Sequence, residues 1–304
     1  MKRRDLLRAL ASTPALAVAQ PQAQPSRARP PFIECADGTR LFFRDWGTGR
    51  PVVFAPPWAL NADWWEPQVA SLSGRGIRCI VYDRRGHGRS SEPGRGYDLD
   101  TLADDLSALF VQLDLRDVVL VGHSMGAAEV VRYVARHGTS RVARVVLVAT
   151  ITPFILKTAD NPDGVDRAAL ERGRELLLKE GPQRIADAAP AFFGAPAIPV
   201  AAETMAWWTR MMVDRCPMSV MLALHRAFTE SDFRPDLPKV TVPTLLIHGD
   251  KDASTPLDRS GRRTQALIPG SVLKVYEGAA HGLTITHAER LNADLVAFIE
   301  GRTG

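Results

Sequence analysis

Gly122-His-Ser-Met-Gly126 sets one serine between two glycines, directly after the apolar run Val119-Leu-Val121. A serine hydroxyl is a poor nucleophile until a neighbouring base takes its proton. The pattern G-x-S-x-G supplies the geometry for such a step when a strand precedes it and a helix follows, because the serine then stands at the apex of a sharp turn. Glycines on either side carry no Cβ, so a chain passing close by does not clash. The helix N-terminus behind the serine favours the negative charge that develops on reaction. Ser124 is therefore the candidate nucleophile.

Two later segments carry the remaining chemistry. Ala279-Ala-His281-Gly282 lies in the loop after the last apolar run and offers His281 as general base. Leu245-Leu-Ile-His-Gly-Asp250-Lys-Asp252 ends an earlier run with two carboxylates. An acid behind a histidine fixes its tautomer and stabilises the imidazolium. Spacing leaves Asp250 and Asp252 both open for that role.

The elements that must position these residues follow from periodicity. Phe32 to Arg44 reads as a hairpin around Asp37-Gly38. Strands are expected at Pro51–Ala55, Ile77–Tyr82, Asp117–Val121, Val142–Ala149, Thr244–His248 and Ser271–Tyr276. Helices are expected at Ala62–Ser73, Leu99–Leu113, Ala127–His137, Leu257–Ile268 and Thr284–Ile299. The alternation breaks between Ile151 and Pro238, where helical patterns such as Asp166–Glu180 and Glu203–Asp214 stand without strands. The expected fold class is α/β: a mostly parallel central sheet, helices on both faces, and a helical cap inserted at about 151–238. In such sheets sites form at the carboxyl ends of the strands, where each motif above falls.

At this point the chain resembles the α/β-hydrolase superfamily, in which the order Ser, Asp, His is characteristic. More closely it is similar to the bacterial cofactor-free, non-haem haloperoxidase/esterase group. The likeness runs over roughly residues 32 to 300. It is strongest in Ala227-Phe-Thr-Glu-Ser-Asp-Phe233, Ile247-His-Gly-Asp-Lys-Asp252 and His281-Gly-Leu-Thr-Ile-Thr-His287. The resemblance implies that Asp252 is the acid partner and that Asp250 structures the loop. It also implies two oxyanion donors, the backbone N–H groups of Trp58 and Met125. The family commonly carries the first donor within a His-Gly-x-Pro run. Here Pro56-Pro57 replaces His-Gly and Ala59 replaces the proline. Prolines offer no N–H, so Pro56 and Pro57 cannot donate.

The implied function is hydrolysis of carboxylic esters through an acyl-enzyme, with a small-molecule acyl substrate and no cofactor. Haloperoxidase, perhydrolase or lactonase chemistry on the same triad is the alternative, since the fold does not choose among them. A non-catalytic ligand-binding receptor is the alternative of another class. A serine at position 124 argues against dehalogenases and epoxide hydrolases that use an aspartate nucleophile.

Other residues receive plainer readings. His123 and His87 are expected to pack, and His287 to lie on or cap the last helix. Trp207, Trp208, Met211 and Met212 sit at helical spacing in the cap, as core or as the lining of an apolar pocket. The histidines and the three cysteines, Cys35, Cys79 and Cys216, are scattered and show no metal-ligand spacing.

The formal charge is +4 over 304 residues. Within residues 1–19, Lys2, Arg3, Arg4 and Arg8 outweigh Asp5 by three charges, which leaves +1 for the remainder. A nucleic-acid partner is therefore not expected. The same segment reads as an export signal: Arg3-Arg4, a short apolar stretch from Ala9, and Ala17-Val-Ala19 as cleavage site. It resembles the twin-arginine signal and implies a periplasmic or secreted bacterial protein. The apolar stretch falls below the ~20 residues of a spanning helix. Residues 20–30 read as a flexible leader and residues 31–304 as the hydrolase domain. The oligomeric state is left open.

Overall fold

The structure is a computed structural model, and it describes residues 31–302. Phe32–Glu34 (β1) and Arg40–Trp46 (β2) pair antiparallel. The turn between them contains Gly38 at φ 82°, a conformation glycine adopts without a Cβ penalty. Six more strands follow: Arg50–Ala55 (β3), Ile77–Tyr82 (β4), Val118–His123 (β5), Val142–Val148 (β6), Thr244–Gly249 (β7) and Val272–Tyr276 (β8). The sheet order is β1-β2-β4-β3-β5-β6-β7-β8. Pairing from β4 through β8 is parallel, and β2 joins β4 antiparallel at one side. The apolar runs explain the arrangement, because β5 and β7 are buried along their whole length, as strands covered on both faces must be.

The helices are Glu66–Ser73 (α1), Leu99–Gln112 (α2), Met125–His137 (α3), Arg167–Phe193 (α4), Ala202–Arg215 (α5), Met218–Glu230 (α6), Gly261–Leu267 (α7), Leu283–Thr286 (α8) and Ala288–Ile299 (α9). Leu102, Leu106, Leu109 and Phe110 form the buried stripe of α2, and Asp98 caps it by accepting from Thr101 N. Helices α4 to α6 occupy the chain between β6 and β7. The α/β architecture matches the expectation from periodicity.

Several boundaries differ from that expectation. The stretch 62–73 divides into a 3₁₀ turn, Ala62–Trp65, and α1, whose second residue is Pro67. The last helical stretch divides at His287, whose φ of −124° interrupts the ladder and which caps α9. Helix α7 starts at Gly261 and not at Leu257, because Pro256 to Ser260 forms a turn instead. Helix α4 is two helices joined at a kink at Glu180, non-helical at φ −132° and ψ 26°: the first ends where the periodicity ends it, and a second, not expected, continues to Phe193. Helix α6 falls inside the expected helical cap, but the sequence reading gives it no bounds of its own. The export signal and leader at residues 1–30 lie outside the described residues. Among the described residues, no helix is long and apolar enough to cross a membrane.

Candidate active site

Ser124 joins β5 to α3 at φ 56° and ψ −117°, a left-handed conformation rare for a residue with a side chain. Its neighbours explain how the turn closes. A Cβ on Gly126 would come within 2.6 Å of Pro56 O, and one on Gly122 within 2.6 Å of Ala127 N. Both positions therefore require glycine. Ser124 N donates to Val148 O at 2.9 Å, which pins the turn to β6.

Asp252 and His281 meet across 29 residues of sequence. Asp252 Oδ2 lies 2.7 Å from His281 Nδ1. The other carboxylate oxygen accepts from Ser254 N at 2.9 Å and Thr255 N at 2.8 Å, and Thr255 Oγ1 donates to Oδ2 at 2.9 Å. Burial opposes the charge on Asp252, but the imidazoles of His281 and His248 outweigh it and hold the carboxyl below its usual range. Asp250 is placed elsewhere. Its Oδ1 accepts from Gly278 N at 2.7 Å, which ties the loop after β7 to the loop after β8.

Ser124 and His281 line one cavity of about 540 Å³, and Trp58 lines it too. No direct hydrogen bond joins Ser124 to His281 among the described residues. Such contacts are commonly loose without substrate and tighten in the reacting complex. Met125 opens α3, so the helix ladder leaves its N–H unused. Trp58 Nε1 donates to Met221 O at 3.0 Å, which fastens the side chain to α6. The following residue, Ala59, has φ 58°. A proline, locked near −65°, cannot take that value, so the loss of the family's proline here goes with a different turn.

Two supporting residues, His248 and Thr255, escaped the sequence reading, and His123, expected to pack, does so and also makes hydrogen bonds. His123 is fully buried, with Nδ1 accepting from Trp64 Nε1 at 3.0 Å and Nε2 3.1 Å from His281 O. Burial, with the charge of His281 second, keeps its imidazole well below its ordinary pKa, so it stands as a neutral link to the backbone of His281. His248 Nε2 lies 2.7 Å from Thr255 O and 3.4 Å from Asp252 Oδ2. Thr255 completes the group. The signal for His248 and Thr255 was their position beside the Gly-Asp-x-Asp run. For His123 no sequence signal separates packing from a hydrogen-bonded link.

The remaining candidates fall where their plainer readings put them. His87 is buried against Arg85 O and Cys216, and burial lowers its pKa to about 3. Trp208 and Met212 line the cavity, whereas Trp207 stacks on Trp64 at 6.1 Å. Cys35, Cys79 and Cys216 are free and buried. Among the described residues, no group of three or more His, Cys, Asp or Glu side chains is placed to hold a metal ion.

The chain matches the family description "alpha/beta hydrolase fold" over residues 50–288. It is 41% identical over 273 residues to a non-heme haloperoxidase of Rhodococcus erythropolis, covering 89% of this chain and 99% of the relative. It is 35% identical to a bifunctional esterase/perhydrolase of Acinetobacter calcoaceticus, covering 88% and 99%. The crystal structure of a bromoperoxidase from Bacillus anthracis superposes with a TM-score of 0.84 at 36% identity, over 88% of this chain and 99% of that one. A strand–turn–helix serine in a mostly parallel sheet, together with these likenesses along nearly the whole described chain, makes this protein a member of the α/β-hydrolase family, in its non-haem haloperoxidase/esterase group.

Proposed function

We propose that the protein hydrolyses carboxylic esters through an acyl-enzyme. The observation that carries this reading is the 2.7 Å contact of Asp252 Oδ2 with His281 Nδ1 on the cavity that Ser124 lines. With Nδ1–H held by Asp252, His281 Nε2 is free to take the Ser124 proton as Oγ attacks the ester carbonyl. The carbonyl electron pair moves to oxygen, and the N–H groups of Trp58 and Met125 donate hydrogen bonds to the oxyanion. Collapse expels the alkoxide, which takes the proton from His281. Water, deprotonated by His281, then releases the acid and restores Ser124.

A second reading follows from the names of the relatives. Hydrogen peroxide in place of water would release a peracid from the same acyl-enzyme, and the peracid would oxidise halide outside the site. The test is a panel of p-nitrophenyl esters from acetate to dodecanoate, with and without peroxide and bromide, alongside a fluorophosphonate probe. Turnover with the label on Ser124 supports the esterase, and bromination only when peroxide and an acyl donor are both present adds the perhydrolase. Labelling with no turnover of any ester favours a ligand-binding receptor and overturns the proposal.

Residues 1–19 are proposed to direct export before cleavage after Ala19. Replacing Arg3 and Arg4 with lysines should hold precursor in the cytoplasm with esterase activity intact. Mature protein unchanged in the periplasmic fraction would refute the twin-arginine assignment.

A further inference from the structure

The loop that carries Trp58 begins with two prolines, and two prolines cannot be held through their N–H groups. Their only backbone handles are carbonyls. Both carbonyls are taken by one side chain: Arg84 Nη1 donates to Pro57 O at 3.0 Å, and Arg84 Nη2 donates to Pro56 O. The guanidinium is fully buried. Its remaining edge, Nε, donates to Glu129 Oε2, and Tyr82 donates its hydroxyl to the other oxygen of the same carboxylate.

The placement of Glu129 gives this cluster its meaning. Glu129 lies on α3, the helix that starts directly after Ser124. Arg84 therefore ties the loop of one proposed oxyanion donor, Trp58, to the helix whose first N–H is the other, Met125. The two elements already touch, since a Cβ on Gly126 would meet Ala55 O and Pro56 O. The planar fork of a guanidinium can hold two adjacent carbonyls and a carboxylate at once, which an ammonium cannot do with the same geometry. A second tie comes from the same loop, where Asp83 Oδ1 accepts from Ala62 N at 2.9 Å.

We propose that Arg84 is a positioning residue for the oxyanion site: it sets the Trp58 N–H against the Met125 N–H through the carbonyls of Pro56 and Pro57. This rests on the ester-hydrolase reading above. Oxyanion donors act only where charge develops, so their displacement lowers turnover and leaves ground-state binding largely alone. Removing one donor outright costs about 10²- to 10³-fold in turnover. A displaced donor is expected to cost less, roughly 30- to 100-fold on the same basis.

The experiment compares p-nitrophenyl butyrate with its thiono analogue, whose C=S sulfur accepts hydrogen bonds poorly. The ratio of kcat/KM for the two esters reports the oxyanion donors and is insensitive to a uniform loss of folded protein. Arg84→Lys keeps a cation beside Glu129 and cannot fork to both carbonyls. Tyr82→Phe/Arg84→Met/Glu129→Leu replaces the whole buried cluster with apolar groups, an exchange that buried ion pairs often tolerate. The expected result in either variant is a fall in kcat of about 30-fold or more with KM within about threefold, and an ester-to-thionoester ratio that shrinks about tenfold. A folded variant with an unchanged ratio overturns the assignment, as does failure of both variants to fold, which would make the cluster a determinant of folding only. A wild-type protein inert on the oxygen ester is a different outcome: it sinks the esterase reading itself.

Discussion

On the sheet side of the cavity, the Asp252 carboxylate accepts three hydrogen bonds from Ser254 and Thr255 besides its contact with His281. On the cap side, helices α4 to α6 face the same space with side chains such as Leu177, Ile185 and Phe192. There Trp208 Nε1 and His225 Nδ1 are buried without a hydrogen-bond partner among the described residues. One wall is fastened atom by atom, and the other is shaped mainly by apolar surface. Reaction needs groups fixed before substrate arrives. Selection among acyl chains needs only volume and shape, and tolerates change.

If the division is right, mutations on the two walls should fail in different ways. Ser124→Ala should lower ester turnover by about 10⁴- to 10⁶-fold with little change in Tm. More than about a tenth of the activity left in purified protein would exclude Ser124 as the nucleophile. Next in size is the pair of carboxylates. Asp252→Asn should cost about 10³- to 10⁴-fold by presenting the wrong tautomer of His281. Asp250→Asn should mainly loosen the contact with Gly278. The opposite ranking at equal folded fraction would break the sheet-side half of the comparison.

Cap-side changes should redirect activity instead of abolishing it. Trp208 packs on Phe192 at 4.7 Å, and Trp208→Ala opens the cavity beside it. The ratio of kcat/KM for decanoate over acetate esters should rise about tenfold, the scale of a few methylene contacts. The same substitution should lower Tm, because it empties a buried site. An unaltered chain-length profile would mean that acyl groups bind elsewhere.

The smallest effect separates the two walls by pH. Burial, then the charge of Arg174, lowers the pKa of His225 from 6.5 to about 4. The unfolded chain therefore binds a proton that the folded one refuses, and stability falls as pH drops from about 6.5 to 4. His225→Leu should flatten that part of the stability curve, measured by urea unfolding. Asp252 acts in the other window. Its carboxyl is held below the usual range, so its contribution is present above about pH 4 and is lost only in stronger acid. A His225→Leu curve that parallels wild type across pH 6.5 to 4 would remove the titration from the account.

The same contrast explains what was legible in the sequence. Gly122 and Gly126 on either side of Ser124 are forced by backbone approach, so their spacing is readable as a motif. Asp252 and His281 sit on short loops directly after strands, and the strands were readable from apolar runs. The cap was harder. Helix α4 breaks at Glu180, so Pro182 falls in the first turn of its second half, where proline is tolerated, but that half runs on through Pro190, which a local reading takes as a stop. Helix α6 did carry a signal, since Val220, Met221, Leu224 and Phe228 are buried at helical spacing. Its neighbours in sequence lacked the strand rhythm that made the rest interpretable. The Arg84 cluster left no local trace, because its partners are drawn from β4, α3 and the loop after β3.

The bond from His123 to the carbonyl of His281 spans 158 residues. It joins the Ser124 turn to the loop after β8, a strand that pairs with β7. During synthesis, which releases N-terminal segments first, a nascent chain can complete β3 to β6 and carry Ser124 while His281 is still inside the ribosome. Through that interval His123 can accept from Trp64 but lacks its bond to the carbonyl of His281, and Ser124 lacks its proposed base. The order of synthesis therefore keeps the serine without its proposed partner until β7, β8 and the loop after them have emerged.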